Sequence, residues 1–158
     1  MMTYRKATSF KLLCILFLVS GLCVGSDGVL AQSLKVEVVK VKSAKGEFYF
    51  STEIAKTDSE RRRGLMNRMQ LARDAAMLFV WEKEQPVQMW MKDTYIPLDM
   101  VFIRNDGSVA NISHATKPHS LKLHSSKGRV RGVLELSAGT ASKIGLREGH
   151  KVFHRAFD

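Results

Sequence analysis

The sequence predicts a mainly β (β-rich α+β) domain: a small curled antiparallel sheet or partly open barrel with two short helices. Three observations predict it. Apolar residues fall in short runs that alternate with polar ones or, at Ala76 to Trp81, run on without a break, and both patterns suit strands. Turn chemistry such as Asn105-Asp106-Gly107 closes neighbouring runs into hairpins. No strand–helix–strand alternation points to a doubly wound sheet.

The first 31 residues stand apart from the fold. Arg5, Lys6 and Lys11 form a positive head, and Leu12 to Val24 is an apolar run of 13 residues, short for a membrane span and suited to a signal peptide. Cleavage is expected after Ala31, leaving residues 32–158 as a single domain in the periplasm or secreted. The alternative is a leader kept as an anchor. Cys14 and Cys23 both lie in the leader, so the mature chain can form no disulfide and hold no thiolate metal site. No transmembrane segment is expected once the leader is gone.

The mature elements follow in order. Leu34 to Lys42 alternates, with Val39 and Val41 switching face. Ser43 to Gly46 turns, and Glu47 to Ile54 returns as the second arm of a hairpin. Thr57-Asp58-Ser59-Glu60 is a capping box ahead of a short helix over Arg61 to Met66, with Leu65 and Met66 turned inward. Gly64 within it marks a helix end or a close backbone contact.

Asn67 to Asp74 is a loop, and Ala76 to Trp81 a strand buried on both faces. Glu82 to Gln85 reads as a polar turn before Pro86. Val87 to Lys92 is a strand with Met89 and Met91 opposite Trp90 and Lys92. Leu98 to Arg104 and Ser108 to His114 form a hairpin around Asn105-Asp106-Gly107. Ala115 to Gly128 is a loop able to serve as a lid. Val130 to Leu136 is a strand with Gly132 at a bulge or close approach. A brief helix from Ala138-Gly139-Thr140 to Ile144 stops at Gly145, and Lys151 to Phe153 is the last strand.

These residues resemble the DUF192 (UPF0127) family. The likeness rests on Gly64-Leu65-Met66, Met77-Leu78-Phe79, Trp90-Met91-Lys92-Asp93-Thr94, Ile96-Pro97-Leu98-Asp99 and Leu134-Glu135-Leu136-Ser137-Ala138-Gly139-Thr140-Ala141, in that order. It implies a small β-rich fold, often exported, with no established activity. The chain departs from the family's pattern at Asp93, where Asn is usual, and at Leu123-His124-Ser125, where a Tyr-x-Ser is common.

The candidate site is the polar corner between the two apolar runs of Met89 to Ile103. Ligand-binding candidates are Met66, Trp90, Lys92, Asp93, Thr94, Asp99 and Glu135. Lys92 would bind an anion over Trp90 while Asp99 orients it or acts as a base. The alternative is a structural corner in which Asp99 caps backbone amides or pairs with Lys92. Glu135 would be satisfied by Arg131, two residues back on the same face, or point into the pocket. Were Glu135 to face Asp99, one carboxyl pKa would rise.

These residues support an exported small-ligand-binding or accessory module whose expected partner is a small anionic or polar ligand. One alternative is a hydrolase of an envelope substrate using Asp99 or Glu135. A second is soft-metal (copper) binding through Met66, Met69, Met77, Met89, Met91 and Met100 with histidines, although methionines at core spacing more often fill cores. No cofactor and no dedicated metal site are expected.

The net charge of +10 suits an anionic partner. No zinc-finger spacing, arginine-rich helix or RNA signature appears, so no nucleic-acid partner is expected. Arg61-Arg62-Arg63 and Lys117 to Arg129 read as solvated faces able to hold the chain weakly at an anionic envelope surface.

Overall fold

A computed structural model describes residues 33–157. The expected leader, Cys14 and Cys23, and the expected cleavage after Ala31 lie outside the described residues. Those described belong to one compact unit, Gln32–Asp158.

The chain opens with a hairpin, β1 (Lys35–Ser43) against β2 (Gly46–Ala55), closed by the two-residue turn Ala44-Lys45. The buried face of β1 carries Val39 and Val41; Val36 and Val38 stand in solvent. Helix α1 (Asp58–Arg63) then begins at the capping box: Thr57 Oγ1 accepts from the Glu60 amide at 3.2 Å, and the Glu60 carboxylate accepts from the Thr57 amide at 2.8 Å. The helix starts three residues earlier than expected and stops at Gly64, whose φ of 45° and contact with the Phe79 ring leave no room for a side chain.

The strand after α1, β3 (Ala75–Gln85), pairs with β2 in parallel, so β2–α1–β3 is a crossover unit. Sequence patterning missed this strand–helix–strand step because α1 itself carries no apolar residue, and only Leu65 and Met66 beyond its end signal a packed helix. β3 also runs through Glu82 to Gln85, expected as a turn, because a bulge between Val80 and Gln85 keeps it beside its partner.

The expected strand over Val87 to Lys92 shrinks to β4 (Gln88–Met89), paired with β7 (His124–Ser125) in a separate two-stranded ribbon. The loop expected over Ala115 to Gly128 therefore contains a short strand. The hairpin β5 (Leu98–Ile103) and β6 (Val109–Thr116) forms as expected. After it come β8 (Val130–Ser137), α2 (Thr140–Lys143) and β9 (Lys151–Phe153).

The main sheet has seven strands in the order β6-β5-β8-β3-β2-β1-β9, all antiparallel except the β2–β3 pair. The fold is mostly β, a curled sheet with two short helices, as the sequence predicted.

The sheet has a core on each face. One core holds Val39, Leu78, Val101 and Leu134 and is closed by Ala141, Ile144 and Phe157. The other holds Met77, Phe79, Met100 and Val133 and is closed by Leu65, Val87 and Met91. Burial on both faces explains the unbroken apolar runs of β3 and β5. The candidate site lies over the second core.

Candidate functional site

A cleft of about 530 Å³ opens on this second face. Its floor comes from β3 and β8, through Phe79, Trp81 and Glu135. One wall is the end of α1 with Gly64-Leu65-Met66, placed there by the crossover. The other is β4 with Trp90, Lys92 and Thr94 just beyond it. Of the seven sequence candidates, Met66, Trp90, Lys92, Thr94 and Glu135 meet here; Asp93 and Asp99 do not.

Glu135 is 4% exposed, and burial is the one influence on its carboxyl, with no hydrogen bond or neighbouring charge set against it. Its register neighbours are Met77 on β3 and Met100 on β5, both fully buried and neither able to donate a hydrogen bond. Burial pushes its carboxyl from the ordinary 4.5 up to about 8. The expected Arg131 partner points elsewhere and donates to Asn105 Oδ1 at 3.3 Å.

Asp99 has the opposite fate. It is fully buried against the other core, its Oδ1 accepting from the Ala115 amide at 2.9 Å and its Oδ2 from the Ala141 amide at 2.9 Å. The register of β5 and β6 shifts here: Leu98 faces Thr116 and Met100 faces Ser113, so Asp99 alone spans two residues of β6. Asp99 thus holds a bulge in β6 and the first turn of α2 together. It is a structural cap with no access to the cleft, and it forms no pair with Lys92.

The Lys92 corner is a turn built from local bonds. Thr94 Oγ1 donates to the Lys92 carbonyl at 3.1 Å, and the Thr94 amide donates to the Met91 carbonyl at 3.2 Å. Asp93 has φ 50°, in the left-handed region that Asn and Asp tolerate best among side-chain-bearing residues, and its carbonyl accepts from the Asn67 amide at 2.8 Å. Its backbone, and not its carboxylate, serves the corner. Lys92 Nζ lies 5.6 Å from the centroid of the Trp90 ring.

Arg62 and Arg63 are exposed, as the solvated face read from the sequence requires, and with the half-buried Arg61 they also rim the cleft. Arg61 is committed: it pairs with Asp58, donates to the Val80 carbonyl at 2.8 Å and sits 5.5 Å from the centre of Trp81. Arg62, Arg63 and Lys92 make no ion pair among the described residues. A capping box that fixes where α1 starts, followed by Gly64-Leu65-Met66, was the available signal for their placement.

Among the methionines, Met66 and Met89 line the cleft. Met77, Met91 and Met100 are fully buried, and the Met91 sulfur accepts from Thr116 Oγ1 at 3.1 Å. Met69 stands in solvent. No histidine lines the cleft. Among the described residues no group of three or more His, Cys, Asp or Glu side chains is placed to hold a metal ion.

The DUF192 family model, described as an uncharacterized ACR, matches residues 39–154, and the chain belongs to this family. No curated protein matches the sequence. Among solved structures, a candidate transcription regulator from Sinorhizobium meliloti 1021 is 40% identical, with TM-score 0.76 over 79% of this chain and 98% of that one. A protein of unknown function from Novosphingobium aromaticivorans DSM 12444 is 28% identical, with TM-score 0.75 over 94% of this chain and 100% of that one.

Proposed function

We propose that this DUF192 member is an exported binding or accessory module whose cleft takes a small organic anion with an apolar body. One observation carries the reading: a single cleft joins an apolar surface of Met66, Phe79, Met89 and Trp90 to three cations, Arg62, Arg63 and Lys92, that have no acidic partner among the described residues. Glu135, uncharged at neutral pH, offers the anion a hydrogen-bond donor at the base of the cleft where a charged carboxylate would repel it.

A thermal-shift panel of acetate, benzoate, phenyl phosphate and octyl sulfate tests the reading. The larger anions should raise the melting temperature and Lys92→Ala should abolish the rise. No shift with any of them removes the proposal's support.

A second reading has its own observation. A carboxyl with a raised pKa in a cleft is a general-acid candidate, so the hydrolase alternative survives with Glu135 alone, Asp99 being sealed away. Turnover of a generic ester or glycoside lost in Glu135→Gln would favour it. Copper binding would rest on Met66 and Met89 without an imidazole, a thinner ligand set. The regulator description of the Sinorhizobium protein finds little support here: α1 and α2 are six and four residues long, too short to serve as a groove-reading helix.

A further inference from the structure

Five large apolar side chains stand exposed on three loops that touch one another: Met69 is 75% exposed, Leu121 65%, Leu123 50%, Trp90 47% and Tyr95 47%. The Asn67 amide on the first loop donates to the Asp93 carbonyl on the second at 2.8 Å. The Met91 amide donates to the Ser120 carbonyl at 3.0 Å, and the His119 amide to the Thr94 carbonyl at 3.2 Å. The rings of Tyr95 and His119 meet edge to face at 4.5 Å. β4 and β7 bring Met89 opposite His124, so the chain leaves that ribbon with Trp90 and Leu123 side by side. Single exposed apolar residues are ordinary on a protein surface; a group of them on joined loops calls for a partner.

The charge around them says which partner. From Gly107 to Leu134 the chain has no acidic residue, while it carries Lys117, Lys122, Lys127, Arg129 and Arg131. Lys127 pairs with Glu148, but Lys92, Lys117 and Lys122 have no ion pair among the described residues. A second copy of the chain docked on this end would set lysine against lysine. A soluble polyanion would use the lysines and leave the leucines in water. An anionic bilayer uses both: aliphatic side chains reach the acyl boundary, Trp and Tyr rings settle at the headgroups, and lysines extend to phosphate.

We propose that this end of the molecule docks on an anionic phospholipid surface through Leu121 and Leu123, with Lys117 and Lys122 pairing with phosphate. None of these four residues lines the cleft, so the inference stands whatever the cleft binds.

The test uses the Gln32–Asp158 unit, which carries both cores, with phosphatidylglycerol-containing vesicles, pure phosphatidylcholine vesicles and dextran sulfate. The unit should sediment with the anionic vesicles at least roughly tenfold more tightly than with the neutral ones. In a Trp81→Phe background, Trp90 emission should move to the blue and be quenched by brominated lipid. Leu121→Ser/Leu123→Ser should lose most of the binding and the quenching at an unchanged melting temperature. Lys117→Gln/Lys122→Gln should lose the preference for anionic vesicles. Equal vesicle binding by the leucine variant overturns the proposal, as does dextran sulfate binding as tight as vesicle binding, or a dimer held through this end. Small-anion binding measured without lipid reports on the cleft separately.

Discussion

Asp99 and Glu135 lie on adjacent strands one register step apart, and the pleat sends their carboxyls to opposite faces of the sheet. Asp99 faces Leu136 across the β5–β8 ladder, and Met100 faces Glu135. One carboxylate therefore meets two backbone amides and the other meets two methionines and the cleft. The same residue class becomes a structural cap on one face and a protonated cleft group on the other.

Replacing Asp99 should cost stability and leave the cleft alone. Asp99→Ala strands the buried amide of Ala141, worth about 1–3 kcal/mol when left unsatisfied, and removes the part-buried bond from the Ala115 amide. Urea titration should show a loss of roughly 2–5 kcal/mol. Affinity for whichever probe the cleft accepts should not change in the folded fraction. A loss below about 1 kcal/mol would contradict the capping role.

Glu135 should make the protein less stable as pH rises. Its carboxyl titrates at about 8 when folded against 4.5 ordinarily, so between those values the folded state holds a proton that the unfolded chain has released. Glu135's contribution should be level below pH 4.5 and fall by at most about 1.4 kcal/mol per pH unit up to about 8. Glu135→Gln should remove that slope and be the more stable form at pH 8. Urea midpoints for both proteins at several pH values read it directly.

Glu37 should act in the opposite sense. Burial works to raise its pKa, but hydrogen bonds from His154, Lys35 and Arg155 outweigh burial and hold it at about 2. The His154 Nδ1 accepts from the Ala156 amide at 3.2 Å, so Nε2 carries the hydrogen that faces Glu37 at 3.0 Å. This contact ties the C-terminal segment to β1. Its contribution is complete above pH 4.5 and is lost as pH falls toward 2. Glu37→Gln should flatten the acid limb of the stability curve between those values.

Gly107→Ala should destabilise by roughly 2 kcal/mol or more. The φ of Gly107 is 78°, and a Cβ there would sit 2.5 Å from the Val152 carbonyl oxygen. Neither the β5–β6 turn nor β9 can shift freely, because the Gly107 carbonyl accepts from the Val152 amide at 2.9 Å. Thermal melts of Gly107→Ala beside Gly128→Ala would check it, since Gly128 has a similar φ of 79° and open space around it. A loss at Gly107 no greater than at Gly128 would remove the packing argument.

Much of this protein is written locally. The capping box at Thr57, the turn at Asn105-Asp106-Gly107, the β1–β2 hairpin and the stop at Gly145 each depend on residues a few positions apart, and each is in place. The two-faced burial of β3 was also readable, because Ala76 to Trp81 is an unbroken apolar run.

Tertiary structure decided the rest, because it depends on which strands become neighbours. Period-two alternation says that Asp99 and Glu135 each lie on some face; only the sheet order says that Met77 and Met100 flank Glu135 and that α2 arrives over Asp99. The same holds for Arg62 and Arg63. Their sequence reads as a solvated helix face, and the parallel β2–α1–β3 crossover turns that face into the rim of a cleft. Local chemistry specifies elements and turns; long-range pairing specifies which side chains share a space, and the candidate site sets one local turn, Trp90 to Thr94, beside residues that only long-range pairing brings to it.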